Sequence, residues 1–276
     1  MSNRMPDPDF IRRVLPLGRA YARYFSPEVS GLENLPASGP VLVIGNHCGL
    51  YWMPDAWITG MSLVEHREAG EPSYGLAHDL LFRVPVLAEA LRRAGIRPAS
   101  HDAAEAGLKD GGAVLVYPGG DWEICRPWSE RNRVDFGGRD GYIRLALRAG
   151  VPVVPVVTHG SHDTLIVLGR GADTAALLGL DRLRVKVFPY ILGFPFGVTP
   201  VLPQLPLPAK VHVSFLPPLD WSLEPGDPDD DSRVAAHYAA TERVMQAELD
   251  RLRTQCPNPI AAGVGSLLAG IASKLR

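Results

Sequence analysis

The sequence predicts an α/β fold in which a mixed central sheet is flanked by helices. Three apolar runs, at residues 41–44, 113–117 and 151–157, are short and rich in valine, and each begins directly after a glycine or a proline, as is common for buried strands. Residues 86–94 and 141–149 have helical patterns and lie between these strands. Such alternation predicts helices packed on a sheet. With 276 residues, of which 46% are hydrophobic, we expect one domain with added segments.

The N-terminal residues 10–25 interleave arginines with aromatic and aliphatic side chains. Five Arg and two Asp in residues 1–25 give a local charge of +3. This pattern fits an amphipathic helix on anionic lipid, or a helix that packs on the domain and is interrupted at Pro16 and Gly18. We expect no secretory signal, because acidic residues come early and no uninterrupted apolar stretch follows.

A histidine and an aspartate follow the first predicted strand. His47 comes just after residues 41–44, and Asp55 lies eight positions further on. One straight helix would separate their Cα atoms by about 12 Å, at roughly 1.5 Å per residue, so the segment must bend if they meet. Gly49 permits a tight turn, and Pro54 suits the first position of a new helix. Asp55 could then orient the imidazole of a general base, or it could only stabilise its helix beside an ordinary loop histidine.

A second strand, residues 113–117, is followed by a proline and two glycines, Gly119 and Gly120. Glycines let backbone N–H groups approach a ligand closely. Several arginines follow, among them Arg126 and Arg139, and guanidinium groups suit phosphate or carboxylate. The alternative is a hairpin turn followed by a solvated basic loop.

Other candidate chemistry is weaker. Residues 160–163 place Ser161 next to His162 and Asp163, but neighbours on an extended chain point to opposite faces, and Ser161 lacks a Gly-x-Ser-x-Gly context. His159, His162 and Asp163 have no second ligand cluster, so no metal is expected. Cys48 is expected to be a buried structural thiol.

Together, these segments resemble the glycerolipid acyltransferase superfamily, the group of bacterial lysophosphatidate acyltransferases and their relatives, over roughly residues 36–220. Family members have an Asn-His start leading to an Asp, a later strand ending in Phe-Pro-Glu-Gly, and a Val-Pro-Val-Val-Pro-Val block. The order and separations of the counterparts match well. The counterparts here are Asn46, His47 and Asp55, then residues 117–120, then residues 151–157.

This resemblance implies the family's sandwich fold and an O-acyltransferase without cofactor, with acyl-CoA or acyl carrier protein as co-substrate. It implies that His47 is the general base and that Asp55 orients it. We expect lysophosphatidate or glycerol 3-phosphate as the acceptor, because of the arginines; a thioesterase or a non-catalytic lipid-binding protein are further alternatives. The predicted substrate-binding residues are Asn46, His101, Pro118, Gly119, Gly120, Glu123, Arg126 and Arg139.

Two departures from the family pattern bear on the acceptor. Seven residues separate His47 from Asp55, more than in most members, and Gly119 stands where the usual motif has glutamate. Glu123 follows slightly later, as in a branch that carries Pro-Gly-Gly and includes proteins similar to diacylglycerol acyltransferases. A neutral acceptor such as diacylglycerol or a glycolipid is therefore the alternative.

The resemblance divides the chain into three parts: an N-terminal amphipathic segment (1–35), an acyltransferase core (36–220) and a C-terminal helical segment (221–276) that packs on the core or the membrane. Residues 187–208 contain six prolines and predict an apolar irregular loop, and residues 259–275 suit a surface-seeking helix. We expect a peripheral or monotopic protein on the cytoplasmic face of the cell membrane.

Net charge and cysteine content bear on the partners and on the redox compartment. The net charge of −2 argues against nucleic acid. The three cysteines are odd in number and widely spaced, so we expect no disulfide framework and a location in the reducing cytosol.

Overall fold

A seven-stranded mixed sheet forms the centre of the protein. A computed structural model describes residues 5–67, 70–183, 186–200, 202–224 and 226–274. The strand order is β1-β10-β6-β2-β5-β3-β4, and every neighbouring pair is parallel except β10 with β6. The strands are β1 Glu28–Ser30, β2 Val41–Gly45, β3 Ser73–Ala77, β4 Ile96–Pro98, β5 Ala113–Val116, β6 Val153–His159, β7 Ile166–Gly169, β8 Tyr190–Gly193, β9 Gly197–Pro200 and β10 His212–Phe215. The predicted α/β class with a mixed sheet is confirmed.

Helices cover both faces of this sheet. Successive side chains of β2 point to opposite sides of the sheet. Leu42 packs in the apolar cluster beneath α4, α6 and α8, whereas Val43 packs in the cluster beneath α1 and α2. The helices are α1 Pro8–Arg23, α2 Pro54–His66, α3 Pro85–Arg93, α4 His101–Lys109, α5 Gly120–Ile124, α6 Gly141–Ala149, α7 Ala172–Leu177, α8 Asp231–Gln255 and α9 Pro259–Lys274. The helices predicted at 86–94 and 141–149 are α3 and α6.

The N-terminal helix α1 is packed on the domain. It runs without a break through Pro16, and Gly18 lets the sulfur of Met61 on α2 come close, since a Cβ there would lie 2.8 Å from it. Arg19 of α1 also forms a 2.8 Å ion pair with Glu65 of α2. The prediction that this helix is interrupted at Pro16 and Gly18 is therefore wrong. The sheet also begins before residue 36, because β1 is its edge strand.

The predicted irregular loop at 187–208 is wrong in its first half. Strands β8 and β9 form a hairpin there, which pairs with β7 in a second, three-stranded antiparallel sheet. The prolines that suggested a loop stand where a strand tolerates them: Pro195 lies in the hairpin turn, and Pro200 ends the edge strand β9. Among the described helices, none has both the length and the apolar character to cross a membrane.

The C-terminal part begins with the long helix α8. Asp230 caps its N-terminus by accepting hydrogen bonds from the backbone N–H groups of Ser232 and Arg233. Its buried side chains pack against β6 and α6, and Met245 is completely buried. The helix α9 follows and is largely exposed beyond its first turns.

Candidate active site

A tight turn reverses the chain between β2 and α2. Gly49, Leu50 and Met53 all have positive φ angles, of 84°, 45° and 41°. The backbone oxygen of Gly49 accepts hydrogen bonds from the N–H groups of Trp52 and Met53. Left-handed conformations cost a leucine or methionine on the order of 1 kcal/mol each, and such strain is common at functional sites. The turn brings the first residues of α2 back to the end of β2.

His47 and Asp55 meet across this turn. The imidazole Nδ1 lies 2.7 Å from Oδ2 of Asp55, whose carboxylate is completely buried at the start of α2. The same Oδ2 accepts the backbone N–H of Cys48 at 3.0 Å, which fixes the carboxylate. Because Asp55 engages Nδ1, Nε2 is the ring nitrogen left to face a substrate hydroxyl. The structure thus brings together the predicted pair, in the arrangement that a general base requires.

The imidazole also stacks on Tyr117. The ring centroids are 4.3 Å apart, and the planes differ by 19°. Tyr117 in turn lies over Gly45, where a Cβ would be 2.6 Å from the tyrosine ring. The sequence did not single out this contact, although the parallel pairing of β2 with β5 puts the ends of both strands side by side. Asp55 and Tyr117 together restrict the orientation of the histidine ring.

Glu123 binds the backbone N–H of His47. Its Oε2 accepts the N–H of His47 at 3.1 Å, and its Oε1 accepts a hydrogen bond from Nη2 of Arg126 at the same distance. Both side chains are buried, and burial raises the pKa of Glu123 to about 8 against the opposing effect of Arg126. Arg126 also donates to the oxygen of Asp135. Substrate contacts were predicted for Glu123 and Arg126, but in this structure they pair with each other and support the His47 loop.

The glycine pair begins a short helix rather than a hairpin. Gly119 is the residue before α5, and Gly120 opens that helix with φ of +46°. Arg139 reaches across to donate to the backbone oxygen of Gly119 at 2.6 Å and to Asp121 at 2.5 Å. The guanidinium therefore anchors the glycine turn. Pro118 lies half-buried just before it.

Two further predicted residues lie apart from the imidazole. Asn46 is buried, and its amide makes two hydrogen bonds with the backbone of Thr158, so it joins β2 to β6. His101 is exposed at the start of α4 with its ring against Gly141. Neither side chain lines the cavity that His47 faces.

An apolar cavity of about 410 Å³ has His47 among its lining residues. Its walls are formed by α1, α2, α3, β3 and β5, with apolar side chains such as Val14, Trp57 and Leu91. None of the described residues that line it is a lysine or an arginine. The volume lies within the roughly 300–1,000 Å³ that is usual for small-molecule sites. This cavity can take a long apolar group whose reactive end lies at the imidazole.

The competing chemistries find little support in the geometry. Asp163 pairs with Arg131 at 3.1 Å, and Ser161 is completely buried, so residues 161–163 do not form a hydrolytic triad. Burial lowers the pKa of His162, which favours its neutral form. Burial also raises the pKa of the Cys48 thiol, as expected of an inert structural cysteine. Within the described ranges, no group of three His, Cys, Asp or Glu side chains could hold a metal ion.

Comparison with known proteins identifies the class. The family model described as "Acyltransferase" matches residues 26–159. An uncharacterized protein of Mycobacterium tuberculosis is 32% identical over 267 residues, which cover 96% of this chain and 68% of that protein. Human diacylglycerol O-acyltransferase 2 is 35% identical over 85 residues, or 30% of this chain and 22% of that enzyme. The crystal structure of the 1-acyl-sn-glycerophosphate (LPA) acyltransferase PlsC from Thermotoga maritima matches with a TM-score of 0.53 and 18% identity, and covers 88% of this chain and 80% of that chain.

The fold and the family match therefore identify an α/β acyltransferase. The chain belongs to the glycerolipid acyltransferase superfamily.

Proposed function

We propose that this acyltransferase moves a fatty acyl group from acyl-CoA, or from acyl carrier protein, to a hydroxyl of a glycerolipid at a membrane surface. One observation carries the proposal. The imidazole of His47 is held by Asp55 and lines an apolar cavity, so a base lies beside a space that suits an acyl chain.

We propose a direct transfer, as the resemblance to the family implies. Nε2 of His47 removes the proton from the acceptor hydroxyl while the hydroxyl oxygen attacks the thioester carbonyl. The tetrahedral intermediate collapses as the carbon–sulfur bond breaks, and the imidazolium returns the proton to the departing thiolate. Asp55 stabilises the imidazolium in between. The N–H groups of His47 and Cys48 already bind carboxylates, so the oxyanion needs other donors.

The arginines near the glycine pair indicate whether the acceptor carries a phosphate or is neutral. Four arginines follow the glycine pair in the sequence, and a fifth, Arg170, donates to the backbone oxygen of Trp122. Within the described ranges each has a carboxyl partner with an N–O distance between 2.5 and 3.8 Å. Each of these guanidinium groups is therefore already engaged by a carboxyl group rather than left open to a phosphate. The pairs are Arg126 with Glu123, Arg131 with Asp163, Arg133 with Asp135, Arg139 with Asp121 and Arg170 with Glu130.

This pairing weakens the argument for lysophosphatidate or glycerol 3-phosphate and favours a neutral acceptor such as diacylglycerol or a glycolipid. The partial similarity to diacylglycerol O-acyltransferase 2 supports the same direction. Phosphorylated acceptors remain the second candidate, because ion-paired guanidinium groups can still donate to phosphate.

Release of free thiol from palmitoyl-CoA by the purified protein in detergent tests the proposal. The reaction is run with a neutral glycerolipid, with lysophosphatidate, with glycerol 3-phosphate and in water alone. We expect release that requires the neutral lipid, and we expect His47→Ala to lower the rate by a factor of about 10² to 10⁴. Asp173→Asn, on the distant helix α7, serves as the control. Release in water alone would indicate a thioesterase. If palmitoyl-CoA and palmitoyl carrier protein both gave no product with any acceptor, the proposed transfer would be wrong.

A further inference from the structure

One long segment of the chain carries no charged side chain. Residues 187–209 contain no Asp, Glu, Lys, Arg or His. The segment includes β8 and β9, which with β7 form the small antiparallel sheet. A surface segment of this length without a charge is unusual, since charged residues make up 21% of the chain.

The outer face of the small sheet is apolar. Leu192 on β8 is paired with Val198 on β9, and both side chains are exposed, Val198 by 59%. The neighbouring Ile191 points to the opposite face and is completely buried. An antiparallel sheet with one face on the core normally has polar side chains on the other. Here both faces are apolar, and only the inner one is covered.

The hairpin tip continues this apolar face. Phe194 and Phe196 flank the turn between β8 and β9, and Phe194 is 73% exposed. Exposed aromatic rings gain free energy when they leave water. Aromatic residues are also enriched where proteins meet the boundary of a lipid bilayer.

The helix α9 adds a second apolar face next to the segment. Residues 259–273 contain no charged side chain. Val264, Leu268 and Ile271 are spaced to share one side of the helix, and all are exposed, Leu268 by 62%. The start of α9 contacts the end of the uncharged segment, because the backbone oxygen of Pro259 accepts the N–H of Lys210 at 2.8 Å.

We propose that the outer face of the β7–β9 sheet, the Phe194–Phe196 turn and the exposed side of α9 form one lipid-docking surface, which inserts into the boundary of an anionic bilayer. The absence of charge favours lipid over a protein partner, since a charge costs most in hydrocarbon, whereas protein interfaces carry a polar rim. Exposed Arg182 and Lys186 lie just before the uncharged segment and suit anionic headgroups. The inference rests on the proposed function only in that a bilayer would hold the acceptor.

This surface is connected to the catalytic turn. The indole N–H of Trp52, between His47 and Asp55 in the chain, donates to the backbone oxygen of Gln204 at 2.8 Å. Gln204 lies in the uncharged segment, and its side chain binds the hairpin through the oxygen of Gly197. Docking through the hairpin would therefore hold the turn of the active site close to the bilayer.

Flotation with vesicles tests the proposal. The parent protein is mixed with vesicles of equal parts phosphatidylcholine and phosphatidylglycerol, and with vesicles of phosphatidylcholine alone. It is compared with the double variant Phe194→Ser/Phe196→Ser and with Leu268→Gln. Val244→Gln is the matched control, since Val244 is an exposed apolar residue on α8. Thermal unfolding and thiol release with a detergent-dispersed acceptor are measured on every variant.

We expect the parent and Val244→Gln to float with anionic vesicles. The double variant should bind them about tenfold or more weakly, because two large apolar groups no longer leave water, and its activity in detergent should be unchanged. Equal flotation of the parent and both docking variants, or a parent that floats with neither vesicle, would overturn the proposal. A parent that forms a dimer which the double variant abolishes would also overturn it, in favour of a second copy as the occupant. Flotation that depends on Phe194 and Phe196 in a protein without transferase activity would leave the surface in place and refute the proposed reaction instead.

Discussion

Glu123 occupies the space that a side chain at position 119 would need. The Cβ that Gly119 lacks would lie 2.2 Å from Cγ of Glu123 and 2.5 Å from its Oε2. The same Oε2 binds the N–H of His47. The family motif usually carries its glutamate at position 119, and here a carboxylate reaches that place from the next turn of the chain.

Gly119→Ala should therefore displace Glu123 and loosen the loop of His47. A shift of about 1 Å at a catalytic group can cost on the order of a hundredfold in rate, so we expect kcat to fall by roughly ten- to a hundredfold. The measurement is thiol release at saturating palmitoyl-CoA. Gly169→Ala is the control, since a Cβ at Gly169 meets no atom within 4 Å. Unchanged kcat in Gly119→Ala would show that the contact with Glu123 is dispensable.

Asp55→Asn tests the orientation of the imidazole. The amide keeps the shape of the side chain but cannot stabilise an imidazolium, so we expect kcat to fall by at least about a hundredfold while the fold persists. Steady-state kinetics and thermal unfolding check this together. A variant with parental kcat would mean that Asp55 serves only the start of α2 and the N–H of Cys48.

The raised pKa of Glu123 predicts a pH-dependent stability. Its pKa is about 8 in the folded protein against an ordinary value of 4.5, so between these values the folded state binds the proton that the unfolded state has lost. The free energy of unfolding should then decrease as the pH rises through this window, by up to on the order of 1 kcal/mol per pH unit, and level off above pH 8.

Denaturant unfolding of the parent and of Glu123→Gln at several pH values measures this contribution. Glutamine does not titrate, so the difference between the two proteins should itself change with pH across the window. Parallel curves for the two proteins would contradict the shift.

Gly60 offers a test of the cavity. This residue of α2 lines the cavity, and a Cβ there would meet no atom within 4 Å. Gly60→Leu should fill part of the space while favouring the helix by up to about 1 kcal/mol. We expect kcat/KM for palmitoyl-CoA to fall severalfold more than that for octanoyl-CoA. Gly265→Leu on α9 provides the same helix effect away from the cavity, and an equal loss for both donors would argue that the acyl chain binds elsewhere.

Asn46→Ala should lower stability rather than substrate affinity. Its amide makes two buried hydrogen bonds with the backbone of Thr158, and leaving those groups unpaired costs about 1–3 kcal/mol. Thermal unfolding and the KM for the acceptor distinguish the two roles. A raised KM with parental unfolding would restore the predicted substrate contact.

Local rules predicted the parts of the site that depend on local sequence. Pro54 begins α2 because its fixed φ and missing N–H suit that position, and Gly49 takes the positive φ that reverses the chain. These two residues permit His47 to meet Asp55, and the structure shows that His47 and Asp55 do meet. The roles of Asn46 and Glu123 do not follow from local sequence, because their partners are set by which strands become neighbours. Thr158 is 112 positions from Asn46, and only the pairing of β2 with β6 brings them together.

The hairpin within 187–208 shows a different limit. Counting prolines predicted an irregular loop, but the effect of a proline on a strand depends on whether its missing N–H would have had a partner. Pro200 ends the edge strand β9. Edge positions are a property of the assembled sheet, so the sequence could not reveal them.

The helix α1 is a wall of the cavity as well as a terminal helix. Ile11, Val14, Leu15 and Gly18 all line the space that His47 also lines. The other walls are formed by α2, α3 and the sheet, so separating α1 from α2 would open this space along its side. Shortening the chain before residue 24 would remove that wall while leaving the contact between His47 and Asp55 in place.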